Sequence, residues 1–181
     1  IRECAIICHV LRDFTDEGII REGSVDPVSD LAVIRTELQL ADLATLEKQK
    51  MPKGAMSTDQ TEDWKAIEVM RETVEAGRMI NSLWETRGEN LERYQRVARD
   101  LNLLTSKNEI FVLNVSEDVI GEAMRNKAGR AEEIGIEAKK LVLVSAKVEA
   151  ELAGMSEDDQ KMFLEEMGLG EGGLERLARV A

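Results

Sequence analysis

The chain has 181 residues, 43% of them apolar and 33% charged, the balance of an ordinary globular protein large enough for one core with an insertion. Its formal net charge of −12 and aromatic content of 3% argue against broad contact with nucleic-acid phosphates and leave few platforms for stacking single-stranded bases. No apolar run approaches the ~18–20 residues of a membrane span, and no basic start with an apolar centre marks a leader.

The chain begins at Ile1, so the segment is expected to lie inside a longer protein or to follow processing. Ala5 to Leu11 (AIICHVL) is the first of three short apolar runs; Ile110 to Leu113 (IFVL) and Leu141 to Val144 (LVLV) are the others. Continuous apolar runs mark strands covered on both faces. Cys4 and Cys8 are too far apart along a strand for a disulfide. They read as small core residues in a reducing compartment. His9 cannot build a histidine metal site alone and reads as a core histidine; no metal site is expected.

The connection between the first two runs is long and helical. Asp26 reads as an N-cap before Pro27, opening a helix to about Lys48 with the stripe Leu31, Ile34, Leu38 and Ala41. Lys50 to Thr61 reads as a loop. A second helix is expected from about Glu62 to Thr86, its stripe running through Ile67, Met70, Val74, Ile80 and Trp84. Two such helices predict an antiparallel, coiled-coil-like hairpin. A shorter helix, Glu89 to Leu101, leads back. Beyond the third strand the pattern gives helices over Glu157 to Met167 and Gly173 to Val180, with Ser156 and Asp159 as a capping box. The fold class is therefore α/β, a parallel sheet with helices on both faces and an inserted α-helical hairpin. The divisions read from the sequence are residues 1–25 (sheet, first part), 26–105 (inserted hairpin) and 106–181 (sheet, second part, with a helical lead onward).

In an open parallel sheet, ligands bind beyond the carboxyl ends of the strands. The second strand runs into Asn114-Val115-Ser116-Glu117 and the third into Ser145-Ala146-Lys147. In this order they resemble the base-reading loops of P-loop GTPases, Asn-Lys-x-Asp and Ser-Ala-Lys. There the acid accepts from guanine's ring N–H and amino group, the Asn braces the loops, and a backbone N–H meets the exocyclic position. Here Val115 replaces the Lys and Glu117 the Asp. That form resembles the YchF (Obg-like ATPase) family. The likeness extends to Val25-Asp26-Pro27-Val28-Ser29-Asp30, Leu40-Ala41-Asp42-Leu43, Leu101-Asn102-Leu103-Leu104-Thr105, Val144 to Leu152 and Phe163 to Gly168.

The resemblance implies a P-loop NTPase that prefers ATP to GTP, uses Mg²⁺, hydrolyses the terminal phosphate and is associated with ribosomes, translation and stress responses. It implies a cytoplasmic monomer without a membrane partner, carrying the helical insertion and a C-terminal TGS domain. It assigns Asn114, Val115 and Glu117 to the base and Ser145, Ala146 and Lys147 to the supporting loop, with Val115 packing on the purine face. Nothing in the sequence matches G-x-x-x-x-G-K-[ST]. The phosphate cradle and Mg²⁺ ligands are therefore expected outside these residues, and the 181-residue chain is expected not to hydrolyse ATP by itself. Arg87, Arg93, Arg96 and Arg99 are candidates for RNA or ribosome contact, against a mixed solvated surface. The competing reading is a non-catalytic helical module that binds a protein or ribosomal partner without nucleotide.

Overall fold

The computed structural model describes residues 1–14, 26–86 and 88–181. They form two compact units, one of residues 1–7 and 32–108, the other of residues 8–31 and 109–181.

The second unit is built on a sheet of three strands in the order β1-β2-β3: β1 (Ile6–Asp13), β2 (Asn108–Val115) and β3 (Leu141–Val144). β2 and β3 are parallel, in a register that runs from Phe111 opposite Leu141 to Asn114 opposite Val144. All of β3, and β2 from Glu109 to Leu113, are buried, as runs without polar alternation require. β1 behaves differently. Ile7, His9 and Leu11 are buried while Cys8 and Val10 are exposed, the parity of a strand with one wet face. The reading of Cys4 and Cys8 as core residues is thus corrected. Both are exposed, Cys4 because it precedes the strand and Cys8 because it falls on the outer parity. His9 does stand in the core. Its Nε2 lies 2.9 Å from Glu109 Oε1, and its ring stacks on Phe111 with centroids 5.1 Å apart. A buried imidazole needs such a partner, since leaving it unpaired costs free energy.

Helices α4 (Ile120–Arg125) and α5 (Lys127–Ile134) connect β2 to β3, and α6 (Ala146–Leu152), α7 (Glu157–Glu166) and α8 (Gly173–Val180) follow. Ser156 caps α7, accepting from the Asp159 N–H at 3.3 Å and donating to its carboxylate at 2.6 Å. Glu149, on α6, caps α8 from a distance in sequence: its carboxylate accepts from the N–H groups of Gly173 at 2.6 Å and Leu174 at 3.3 Å. The approach is close enough to favour glycine, because a Cβ at position 173 would sit 3.0 Å from Glu149 Oε1 and 3.1 Å from the Val144 methyls, and these side chains would have to give way. From α8, Arg176 donates to the Leu143 carbonyl of β3 at 3.1 Å.

The first unit is helical. α1 (Pro27–Leu46) starts where the sequence reading places it, with the Asp26 carboxylate accepting from the N–H groups of Val28 and Ser29. α2 (Thr58–Glu75) departs from expectation at both ends. It begins earlier because Ser57 and Gln60 form a reciprocal capping box. It ends earlier because Gly77 adopts φ 71°, letting the Arg78 N–H return to the Thr73 carbonyl at 3.0 Å in the six-to-one bond that closes a helix. The residues expected to continue the helix instead form a 3₁₀ turn, Ile80–Leu83, before α3 (Leu91–Asp100). This early stop changes the packing. α2 lies chiefly against α3, around a core that includes Met70, Val74, Ile80, Val97 and Leu103, and α1 adds Leu43 and Leu46 from its last turns. The expected long seam between the first two helices is replaced by this three-part core.

Asp42 fastens α1 into that core. It is 0% exposed, and its carboxylate accepts from the Leu104 N–H at 2.8 Å, the Thr105 N–H at 2.7 Å and the Thr105 hydroxyl at 2.8 Å. The Arg2 guanidinium stands 3.9 Å away.

Candidate functional site

Because β2 and β3 are parallel and in register through Asn114 and Val144, the residues that follow them emerge side by side at the carboxyl end of the sheet. The Asn114 side-chain oxygen accepts from the Ala146 N–H at 3.0 Å. The two strand tips are therefore tied by a direct bond between a side chain on one and the backbone of the other. Ser145 occupies the N-cap position of α6 in an extended conformation, and its side chain is buried. Ala146 and Lys147 are exposed.

Glu117 and Lys147 form a second tie, an ion pair between Lys147 Nζ and Glu117 Oε1. The hydrogen bond to Glu117, with the attraction of its charge, holds the Lys147 ammonium above the usual lysine pKa range. The pair is open to solvent, the side chains being 66% and 30% exposed. Such a pair adds little to fold stability, so its chief effect is to fix where the two charges point.

Val115 is placed otherwise than the sequence reading has it. Its side chain is 2% exposed, turned into the core on the parity opposite to Asn114. Burying a valine is favourable by about 1.5–3 kcal/mol, so this side chain is not presented to the face of a base; its backbone remains at the strand tip. Glu149 was not singled out by its sequence pattern. The signal, legible in hindsight, is its place one turn beyond Ala146 together with the glycines that precede α8.

The arginine candidates lie in the helical unit, and Arg87 lies outside the described residues. Arg93 bonds the carboxylates of Asp59 at 3.0 Å and Asp63 at 2.7 Å, and Arg96 bonds Asp63 at 2.6 Å. These carboxylates hold both guanidinium groups above their usual range, and the hydrogen bonds from Arg96 and Arg93 in turn hold Asp63 below its own. Two of the cations thus brace α3 against α2. Arg99 has no acidic partner among the described residues. It lines a cavity of about 490 Å³ with Arg2, Trp84 and Lys107.

Among the described residues no group of three or more His, Cys, Asp or Glu side chains is arranged to hold a metal ion. No helix among them is long and apolar enough to cross a membrane.

No protein-family model matches the chain. It is similar to the ribosome-binding ATPase YchF of Bacillus subtilis (strain 168), with 35% identity over 188 residues covering 100% of this chain and 50% of that protein. The protein of the same name from Escherichia coli O157:H7 is 35% identical over 187 residues, covering 99% of this chain and 49% of its own. Among solved structures, the Schizosaccharomyces pombe YchF GTPase superposes with a TM-score of 0.75 at 23% identity, over 98% of this chain and 49% of that one. That likeness establishes the fold. The chain spans about half the length of the curated relatives it matches.

Proposed function

We propose, for a chain that belongs to the YchF family, that its strand tips are the base-reading half of an ATP site. In a protein that joins this segment to a phosphate-binding loop and Mg²⁺, the site holds ATP in preference to GTP for hydrolysis of its terminal phosphate. Residues 8–31 and 109–181 form the nucleotide side, and the helical unit is an insertion. The relatives are named as ribosome-binding ATPases, which supports a ribosomal partner; a cytoplasmic place and a link to translation and stress responses belong to the same proposal.

The bond from the Ala146 N–H to Asn114 carries the base preference. In guanine recognition a backbone N–H at this point donates to the O6 carbonyl. Here it is already committed, so guanine's O6 must compete for it. Adenine places an amino group there, itself a donor, and asks nothing of the N–H. A mismatched polar group in a closed site costs ~1–3 kcal/mol, equivalent to about 5- to 150-fold in affinity.

Calorimetric titration of a protein carrying both this segment and a phosphate-binding loop is expected to give tighter binding of ATP than of GTP by about tenfold, inside that range. GTP binding as tight as ATP overturns the base assignment. The 181-residue chain by itself is expected to show no Mg²⁺-dependent turnover, since it supplies no phosphate cradle.

A further inference from the structure

The ion pair between Glu117 and Lys147 has a consequence for specificity that rests on the base-slot reading. A free carboxylate at Glu117 would offer two oxygens to a base. Guanine presents two donors in a row, its ring N–H and its amino group, and a carboxylate meets them with one oxygen each, the bidentate arrangement that charge-assisted bonds favour. Adenine presents one donor, its amino group, beside a ring nitrogen that is an acceptor. It can use one carboxylate oxygen and is repelled by a second. In this structure Oε1 of Glu117 is claimed by Lys147. A guanine donor must share that oxygen with the ammonium, while the other oxygen stands clear, which suits adenine's single donor better than guanine's pair.

We propose that Lys147 is a specificity-determining positioning residue: by holding one oxygen of Glu117 it withholds the bidentate acceptor that guanine requires and sets the slot for adenine. The residue needs no contact with the base to do this. Its own side chain is 66% exposed and its backbone begins α6 next to the bond that braces Asn114, so the head group can be changed with the loop left in place. The pair is weak in open water. A base that covers Glu117 excludes that water and makes the choice of partner for each oxygen count.

The test is a double-mutant cycle read as the ratio of GTP to ATP dissociation constants, in a protein carrying this segment and a phosphate-binding loop. Lys147→Met is expected to lower that ratio about tenfold, ~1.4 kcal/mol, chiefly through tighter GTP binding. Lys147→Arg keeps a cation in reach of Glu117 and is expected to hold the ratio near the original. In a Glu117→Gln background, Lys147→Met is expected to leave the ratio unchanged, because no carboxylate remains to be released. A ratio that stays within about twofold after Lys147→Met overturns the proposal. So does an equal shift in the Gln background, which would mean that Lys147 acts on the nucleotide directly. Failure of the unaltered protein to bind either nucleotide defeats the base-slot reading and this inference together. Binding of both nucleotides with an unmoved ratio defeats this inference alone.

Discussion

Replacing Asp42 by Ala leaves the Leu104 N–H, the Thr105 N–H and the Thr105 hydroxyl without the acceptor they share, at a point with no exposure to solvent. A hydrogen bond to an ionised group contributes about 1.5–3 kcal/mol net. Three bonds on two oxygens of one carboxylate do not add independently. The loss is therefore set at about 3–5 kcal/mol, the range for breaking a buried charged network. Asp42→Asn keeps one oxygen but turns an amino group toward a donor, so about 2 kcal/mol is expected for it, within the cost of one unpaired buried group. Both tryptophans, Trp64 and Trp84, lie in the helical unit. Their fluorescence during urea titration therefore reports on that unit. With a slope of about 2 kcal/mol/M, the Ala variant should unfold about 2 M earlier, and the Asn variant about 1 M earlier. A shift below about 0.5 M for Asp42→Ala at an unchanged slope would refute the reasoning, because it would mean that the three donors find partners as good elsewhere.

Glu149→Ala removes the acceptor from the first turn of α8; the loss of such a cap is about 1–2 kcal/mol, and amide exchange at Gly173 and Leu174 should quicken about tenfold, whereas unchanged exchange contradicts the cap. Glu137 is lowered to about 2 by its hydrogen bonds to Lys139 and Lys140. Its favourable pairing is present above the ordinary carboxylate pKa of about 4.3 and is lost as pH falls toward 2. A carbon-detected NMR titration should place its midpoint near that value and return it toward the ordinary range when Lys139 and Lys140 are both changed to Ala. A midpoint already near 4 in the unaltered chain is the contrary result.

β2 and β3 were legible because nothing polar interrupts IFVL or LVLV, and only strands covered on both faces tolerate that. α1 was legible from Asp26-Pro27, a start signal that needs no tertiary partner. The end of α2 was misread for a different reason: the apolar positions Ile80 and Trp84 continue a helical spacing through a glycine that in fact reverses the chain, and burial in the same core gives both arrangements the same pattern. The Ser57–Gln60 box was a local signal and was open to recognition. Val115 could not be placed from type alone, since a valine at a strand end serves equally on either side of the pleat. The pairing of Arg93 and Arg96 with Asp59 and Asp63 depends on how α2 and α3 meet, and no spacing within either helix encodes that. The side-by-side placing of Asn114 and Ala146 follows from parallel pairing, but the bond between them does not.

Helix α6 begins at Ala146, whose amide braces Asn114, and one turn later its Glu149 grips the opening of α8. One short helix thus starts in the loop at the strand tips and holds a neighbouring helix from its middle, where a Cβ at position 173 would come within 3.1 Å of the Val144 methyls. The loop at the strand tips and the opening of α8 are therefore joined through one helix and the Glu149 carboxylate it carries.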